Sequence, residues 1–352
     1  MENQEKKHKR RVRYAGAYPK NYKEKYKELN PEKYADTVSR VIEKGSTPAG
    51  MHISICVKEI LDFLQIQPGQ KGLDATLGYG GHTQEMLKCL QSQGHLYALD
   101  VDPIESAKTK ERLEKLGYGE DILTIRLQNF ADIDLVARDV GKFDFVLADL
   151  GVSSMQIDNP DRGFSYKTEG PLDLRMNPQK GISAAQRLKS ISRDELQGML
   201  QENSDEPYAK EISQEVVSRL KKGGHIETTG ELRQTIEDAL SFLAASERKE
   251  AVKKSCQRTF QALRIDVNSE FEALYALMEK LPQVLAPGGR VAILTFHSGE
   301  DRIVKKSFKQ FYKAGIYSAI SEEVIRPSAE ECARNSRARS TKMRWAIRAQ
   351  ED

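Results

Sequence analysis

Between residues 57 and 150 short apolar runs alternate with stretches of helical period, and this alternation narrows the possible folds more than any other feature of the chain. Residues 57–64 read as a helix, and residues 72–76, after the turn at Pro68-Gly69, as a short strand. Residues 81–91 follow as helix, 95–100 as strand, 105–116 as helix, and 122–127 and 143–150 as strands. A strand that returns through a helix makes a right-handed crossover, so repetition of the unit predicts an α/β fold with a mostly parallel sheet. The alternation stops near Met155. From there to Phe260 the chain reads as helical and polar, with a helix start at Ser192-Arg193-Asp194-Glu195 and an amphipathic segment at 232–243. Sheet pattern returns at 290–296, after the turn Pro287-Gly288-Gly289. A helical domain inserted into an open α/β sheet accounts for this order. The expected division is residues 51–154 with 261–352 as the sheet domain and 155–260 as the insert, preceded by residues 1–50 as a basic extension.

Charge narrows the choice of partner. The chain has 352 residues with 55 Lys and Arg against 52 Asp and Glu, a formal charge of only +3. Its distribution is uneven. Residues 1–44 hold 13 basic against seven acidic side chains, interleaved with Tyr14, Tyr18, Tyr22, Tyr26 and Tyr34. Arg326, Arg334, Arg337, Arg339, Lys342, Arg344 and Arg348 face only Glu330 and Glu331 in their segment. Basic ends of this kind point to nucleic acid, and spaced tyrosines suit stacked bases, although a solvated tail has the same composition. Apolar runs are short, as in Val291-Ala292-Ile293-Leu294, so no bilayer-spanning helix and no membrane partner is expected. Cys56, Cys89, Cys256 and Cys332 show no C-x-x-C spacing, and the histidines lack ligand spacing. Neither a disulfide scaffold nor a metal site is expected, and the cysteine usage fits a cytoplasmic protein.

The segment Leu73-Asp74-Ala75-Thr76-Leu77-Gly78-Tyr79-Gly80-Gly81-His82 leaves a strand and opens a helix. Glycines there let a ligand approach the backbone, and Asp100, at the end of the next strand, can accept both hydroxyls of a ribose. Together they predict a nucleoside cofactor. A dinucleotide would want a G-x-G-x-x-G turn and a diphosphate on the helix N-terminus. Here an acid, Asp74, sits in the strand instead, which suits the cationic amino-acid moiety of S-adenosylmethionine and favours methyl over hydride transfer. Asp149 ends the strand at 143–150, on the edge where open sheets bind ligands, or else caps a turn there. Phe130 reads equally as an adenine neighbour or as core.

Longer motifs are more specific. Asp149-Leu150-Gly151-Val152-Ser153-Ser154-Met155-Gln156, Arg162-Gly163-Phe164-Ser165-Tyr166 and Gly170-Pro171-Leu172-Asp173-Leu174-Arg175-Met176 resemble the bacterial 16S rRNA cytosine-N4 methyltransferase H family, also called MraW. So do the stretch from Gln257 to Asn268, the stretch from Phe296 to Arg302, and Arg326-Pro327-Ser328 with Asn335-Ser336-Arg337-Ala338-Arg339-Ser340. The resemblance implies a class I S-adenosylmethionine-dependent methyltransferase fold that methylates a cytidine amine in 16S rRNA of the small ribosomal subunit, as monomer or homodimer. It places cofactor contacts on Gly80, Gly81, His82, Asp100, Phe130, Asp149 and Gln156. The residues before His52 and the glycine at 299, where a leucine is usual, point to a divergent paralogue.

The chemistry adds its own candidates. A cytosine amine has its lone pair delocalised into the ring, so it must be oriented at about 3 Å from the methyl and must lose a proton. The Asp/Asn-Pro-Pro-aromatic motif of many amino-methyltransferases is absent, and its place is taken by Asp149-Leu150-Gly151-Val152-Ser153-Ser154. Ser153 and Ser154 are therefore candidates for the acceptor pocket, Asp173 for binding the amine, and His297 for a base, although His297 before Ser298 and Glu300 also reads as a helix cap. Arg175, Arg258, Arg264, Arg337 and Arg339 are candidate RNA contacts, with Arg258 and Arg264 reading equally as braces of the insert. Two rival functions remain open: N-methylation of another RNA or of DNA, and non-catalytic binding of rRNA during assembly.

Overall fold

Seven strands make one sheet, and their order shows where a ligand belongs. The computed structural model describes residues 54–351, so the expected extension at residues 1–50 lies outside the described residues. The strands are β1 (Lys71–Asp74), β2 (His95–Asp100), β3 (Leu123–Leu127), β4 (Phe143–Asp149), β5 (Leu285–Thr295), β6 (Tyr317–Ile320) and β7 (Lys342–Arg348). Their order is β3-β2-β1-β4-β5-β7-β6. The first five pair in parallel, while β7 runs antiparallel to β5 and to β6. The chain winds outward from β1 to one edge and then restarts at β4 on the other side. Such a reversal leaves a crevice at the carboxyl ends of β1 and β4.

Helices cover both faces. One side carries α1 (Val57–Leu64), α2 (Gly81–Leu90) and α3 (Pro103–Lys115), and the other carries α4 (Ile133–Val140). Strand residues are buried on both faces with period two: Phe145 and Leu147 join one core with Ile60 and Met86, whereas Val146 and Ala148 join the other with Val136 and Leu277. Gly72 permits this packing, because a Cβ there would sit 2.0 Å from the ring of Phe145. Asp102 caps α3 by accepting the N–H groups of Ile104 and Glu105, with Pro103 as first helical residue.

After β4 the chain builds a second, wholly helical core. It comprises α5 (Ser154–Asp158), α6 (Ala184–Ser190), α7 (Arg193–Ser204), α8 (Ala209–Lys221), α9 (Thr229–Ala239) and α10 (Ala245–Asn268). Reciprocal capping boxes at Ser153, Ser183 and Thr228 start three of these helices, and Ser192 caps α7 from the Ser-Arg-Asp-Glu signature. Leu188, Leu200, Ile212, Leu232 and Phe260 pack together in this core. At 24 residues α10 spans about 36 Å and carries the chain back to the sheet. Ser269, with φ of 49°, turns it into α11 (Glu270–Val284), which packs on the sheet ahead of β5. The chain finishes with α12 (Ser298–Lys313), β6, the short α13 (Ala329–Arg334) and β7. Among the described residues no helix is long and apolar enough to cross a membrane.

Candidate active site

The crevice predicted by the strand order is a cleft of about 930 Å³. Its floor is the loop after β1, where Gly80 has φ of 75° and opens α2. A side chain at Gly80 would meet Thr109 at 2.9 Å, so glycine is required by both backbone and space. Asp100 organises this loop: its Oδ2 accepts the N–H of Gly78 at 2.9 Å and its Oδ1 the N–H of Asp102 at 2.8 Å. Burial nevertheless holds its carboxyl up at about 6, because two amides do not replace the lost water. Phe130 and Leu127 line the same end of the cleft.

Asp149 stands at the head of β4 on the opposite wall. Burial raises its carboxyl to about 6, opposed by His82, whose Nδ1 lies 3.5 Å from Oδ2. His82 in turn is fixed by its Nε2 against the carbonyl of Ile55 at 2.9 Å. Asp74, expected to face a cationic ligand, does not reach the cleft. Its carboxylate accepts Thr83 Oγ1 at 2.6 Å and the Thr76 N–H at 3.0 Å, so it braces the glycine loop from beneath. Four residues of the cleft wall carry a buried polar atom that meets no well-aligned hydrogen-bond partner among the described residues: Oδ1 of Asp149, the hydroxyl of Tyr166, Nε2 of His297 and Nη1 of Arg337. Buried polar atoms are normally paired, so such a concentration marks a surface shaped for a polar ligand.

A buried ion pair ties the helical core to this cleft. Arg162 donates to Asp102 Oδ2 at 2.7 Å, and its other nitrogen donates to the carbonyls of Arg175 and Met176. Gln156 donates to the same Asp102 oxygen at 2.8 Å while its own Oε1 accepts the N–H of Ser153. Asn268, at the end of α10, bonds the backbone of Met176 and Leu174. Neither Asp102 nor Arg162 stands out in the sequence as a site residue. Asp102 does follow Asp100 by two and precedes a proline, which is a cap signature with a second use.

The candidate residues do not all meet. Gly80, Gly81, His82, Asp100, Phe130, Asp149, Ser153, Ser154 and Gln156 line one cleft. Within it the amide of Gln156 is committed to Asp102 and Ser153, so it positions the loop. His297 also lines the cleft, but it caps α12, with Nε2 3.2 Å from Glu300 Oε1 and Nδ1 towards the Glu300 N–H, which leaves the cap as its visible role. Asp173 stands apart from the cleft wall: Arg175 holds both its oxygens at 2.7 Å, a pairing that removes it as a free acceptor and occupies Arg175. Arg264, which reads either as an RNA contact or as a brace, is half-buried and donates two hydrogen bonds to the Glu270 carboxylate, bracing the α10–α11 turn. Arg337 pairs with Asp158 at 2.8 Å at the cleft rim. Arg258 is half-buried and Arg339 exposed. Part of the C-terminal basic cluster is turned inward: Arg344 and Lys342 bind Asp301, and Arg348 binds the carbonyls of Pro282 and Ile316, whereas Arg326, Arg334 and Arg339 are exposed. The four cysteines are free.

A parallel sheet with one antiparallel strand slipped in beside β5, a glycine loop after β1 and an acid ending β2 define a class I methyltransferase. A family model described as the MraW methylase family matches residues 49–349. "Ribosomal RNA small subunit methyltransferase H 1" of Lachnoclostridium phytofermentans is 72% identical over 99% of this chain and 95% of its own length. The protein called methyltransferase H of Koribacter versatilis is 39% identical over 87% of this chain and 99% of its own. Among solved structures, an rRNA methylase from Streptococcus thermophilus aligns over 85% of this chain and 99% of its own at 13% identity, with a TM-score of 0.39. The chain belongs to the MraW methylase family. It is an S-adenosylmethionine-dependent methyltransferase. Relatives such as that of L. phytofermentans align across 99% of the chain, so the residues before His52 are shared with close relatives and are no peculiarity of this protein.

Proposed function

We propose that this protein methylates the exocyclic N4 amine of a cytidine in the 16S rRNA of the small ribosomal subunit, in the cytoplasm. The observation that carries the reading is the cleft itself. One end is floored by the glycine loop with Asp100 and Phe130, as a nucleoside would need, and the other is walled by helical residues such as Phe260 and Gln261, with an unpaired carboxylate oxygen of Asp149 between them. The names of relatives at 72% and 68% identity agree with it.

S-adenosylmethionine supplies an electrophilic methyl group on a sulfonium. The residues present fit it. Asp100 retains lone pairs for ribose hydroxyls beyond the two amides it accepts, and the glycine loop leaves room at the backbone. Phe130 offers a flat apolar wall to adenine, and Asp149 a carboxylate to the amino-acid nitrogen. Gly80, Gly81 and His82 shape the same wall, and Gln156 keeps Ser153 and Asp102 in register. A cytidine turned out of its helix then enters from the side of the insert, at a cost of a few kcal/mol. Ser153 and Ser154 begin α5 directly after the Asp149 turn and line this entrance, where their hydroxyls orient the amine and take up its hydrogen bonds. The segment 155–260 serves as the substrate-binding insert, with Arg258 and Arg339 as RNA contacts on its side and at the rim.

The test is to map N4-methylated cytidines in 16S rRNA from cells with and without the gene, and to restore the gene with Asp149 intact or replaced. Loss of one modified cytidine with the gene, and its return only with the intact copy, is the expected result. An unchanged rRNA profile together with lost methylation of DNA or of another RNA would replace the substrate.

A further inference from the structure

On several helices of this protein exposed cations sit opposite an acid one helical turn away. On α3, Lys108 pairs with Glu105, Lys110 with Glu114 and Lys115 with Glu111. On α10, Glu250 meets both Lys253 and Lys254. Helix α12 departs from this habit. Arg302, Lys305, Lys306, Lys309 and Lys313 are exposed, and none has an acidic partner among the described residues. At 3.6 residues per turn all five fall in a stripe about 100° wide and about 16 Å long. The two acids of the helix are turned inward, Glu300 to the Phe296 N–H and His297, and Asp301 to Lys342 and Arg344. The opposite face, with Ile303, Val304 and Phe308, is buried in the sheet core.

Like charges three and four residues apart repel, so the stripe opposes the helix that bears it unless an anion covers it. Its position suggests which anion. The helix begins at the cleft, where His297 and Glu300 line the wall, and the cations lead away from that mouth. The extension at residues 1–44 is itself basic, 13 against seven, and is excluded as the covering segment by its sign.

We propose that the α12 stripe is a docking track for the sugar-phosphate backbone of the rRNA flanking the target base, holding the strand as it approaches the cleft. The proposal rests on the rRNA reading above and adds a surface outside the cleft to it. Successive phosphates of one strand suit a row of cations along one helix face, and contacts of this kind position RNA without reading its sequence.

The test neutralises Lys305, Lys306, Lys309 and Lys313 to Gln and measures binding to naked 16S rRNA and to small subunits across a salt series. Loss of four phosphate contacts is expected to reduce the slope of log affinity against log salt by about three. Cofactor affinity should stay at the parent value, and the melting temperature should stay level or rise as the repulsion along the helix is relieved. The double variant Lys306→Gln, Lys313→Gln should give about half that change. Neutralising Lys108, Lys110 and Lys115 on α3 should leave the slope unaltered. A parent-like slope in the four-site variant overturns the track. Weakened binding to small subunits with full affinity for naked rRNA also overturns it, in favour of a ribosomal-protein contact. If the parent itself shows no salt-dependent binding to rRNA, the substrate reading fails first and the track fails with it.

Discussion

Asp100 and Asp149 are the residues whose environment most depends on a ligand. Both carboxyls are held up at about 6 by burial, above the ordinary carboxylate value of 3.8. A group raised in the folded state stabilises fully only below its unfolded value and loses that contribution as pH rises through the folded one. The cofactor-free protein therefore carries two strained carboxylates at neutral pH, and a cationic ligand relieves them. Binding of S-adenosylmethionine should weaken as pH falls through 6, by about tenfold per unit for each proton taken up, and level off above 7. Calorimetry in two buffers of different ionisation heat checks this, with proton release at pH 5.5 and little at pH 8. Asp149→Asn should weaken cofactor binding about ten- to a hundredfold, as expected for loss of a charged hydrogen bond, while melting at pH 7 stays level or rises. Much of this site was legible in the chain, because a glycine loop and a carboxylate at a strand end are local signals. Asp74 departs from that local pattern: sequence places it at the right strand, but Thr83, nine residues on, turns it inward. Asp173 and Arg175 lie two apart and satisfy each other, which spacing alone does not reveal.

At the level of elements, local signals again explain what could be read. The helix at Val57–Leu64, the strand at His95–Asp100 and the cap at Ser192 coincide with their sequence-based expectations. Strand β7 did not announce itself, because Lys342, Arg344 and Arg348 gave it the look of a nucleic-acid tail. Its cations are instead consumed by Asp301 and by backbone carbonyls, contacts forty or more residues distant in the case of Asp301. The helical reading up to Phe260 covers most of α10, but the expected boundary there falls inside the helix, which runs on unbroken to Asn268. One element-scale link is open to measurement. The Asp102–Arg162 pair joins the cap of α3 to the insert, and removing one partner leaves a buried charge uncompensated. Arg162→Ala should cost about 3–5 kcal/mol in denaturant unfolding, and Gln156→Ala clearly less, since a neutral amide is lost.

Over the whole molecule, the sheet cores and the helical core share none of their buried residues. Their stabilities are expected to separate under perturbation. Leu200→Ala, in the helical core, should cost about 2–5 kcal/mol there and reduce methylation of small subunits on warming before it reduces cofactor binding. Parallel thermal series followed by binding of radiolabelled cofactor and by methyl transfer would show the two losses at different temperatures, and a single coincident loss would refute the separation. The sheet has a dependence of its own. Strand β7 follows β6 in the chain but lies between β5 and β6, so β6 has no strand to join until β7 arrives. A chain interrupted after Ile320 thus forfeits two strands, not one, and leaves β5 with an open row of amides from Arg290 to Thr295. An uncovered edge of that kind recruits other strands. Incomplete copies of this enzyme should consequently betray themselves by sticking together, so that aggregation sorts finished from unfinished molecules before either meets its substrate.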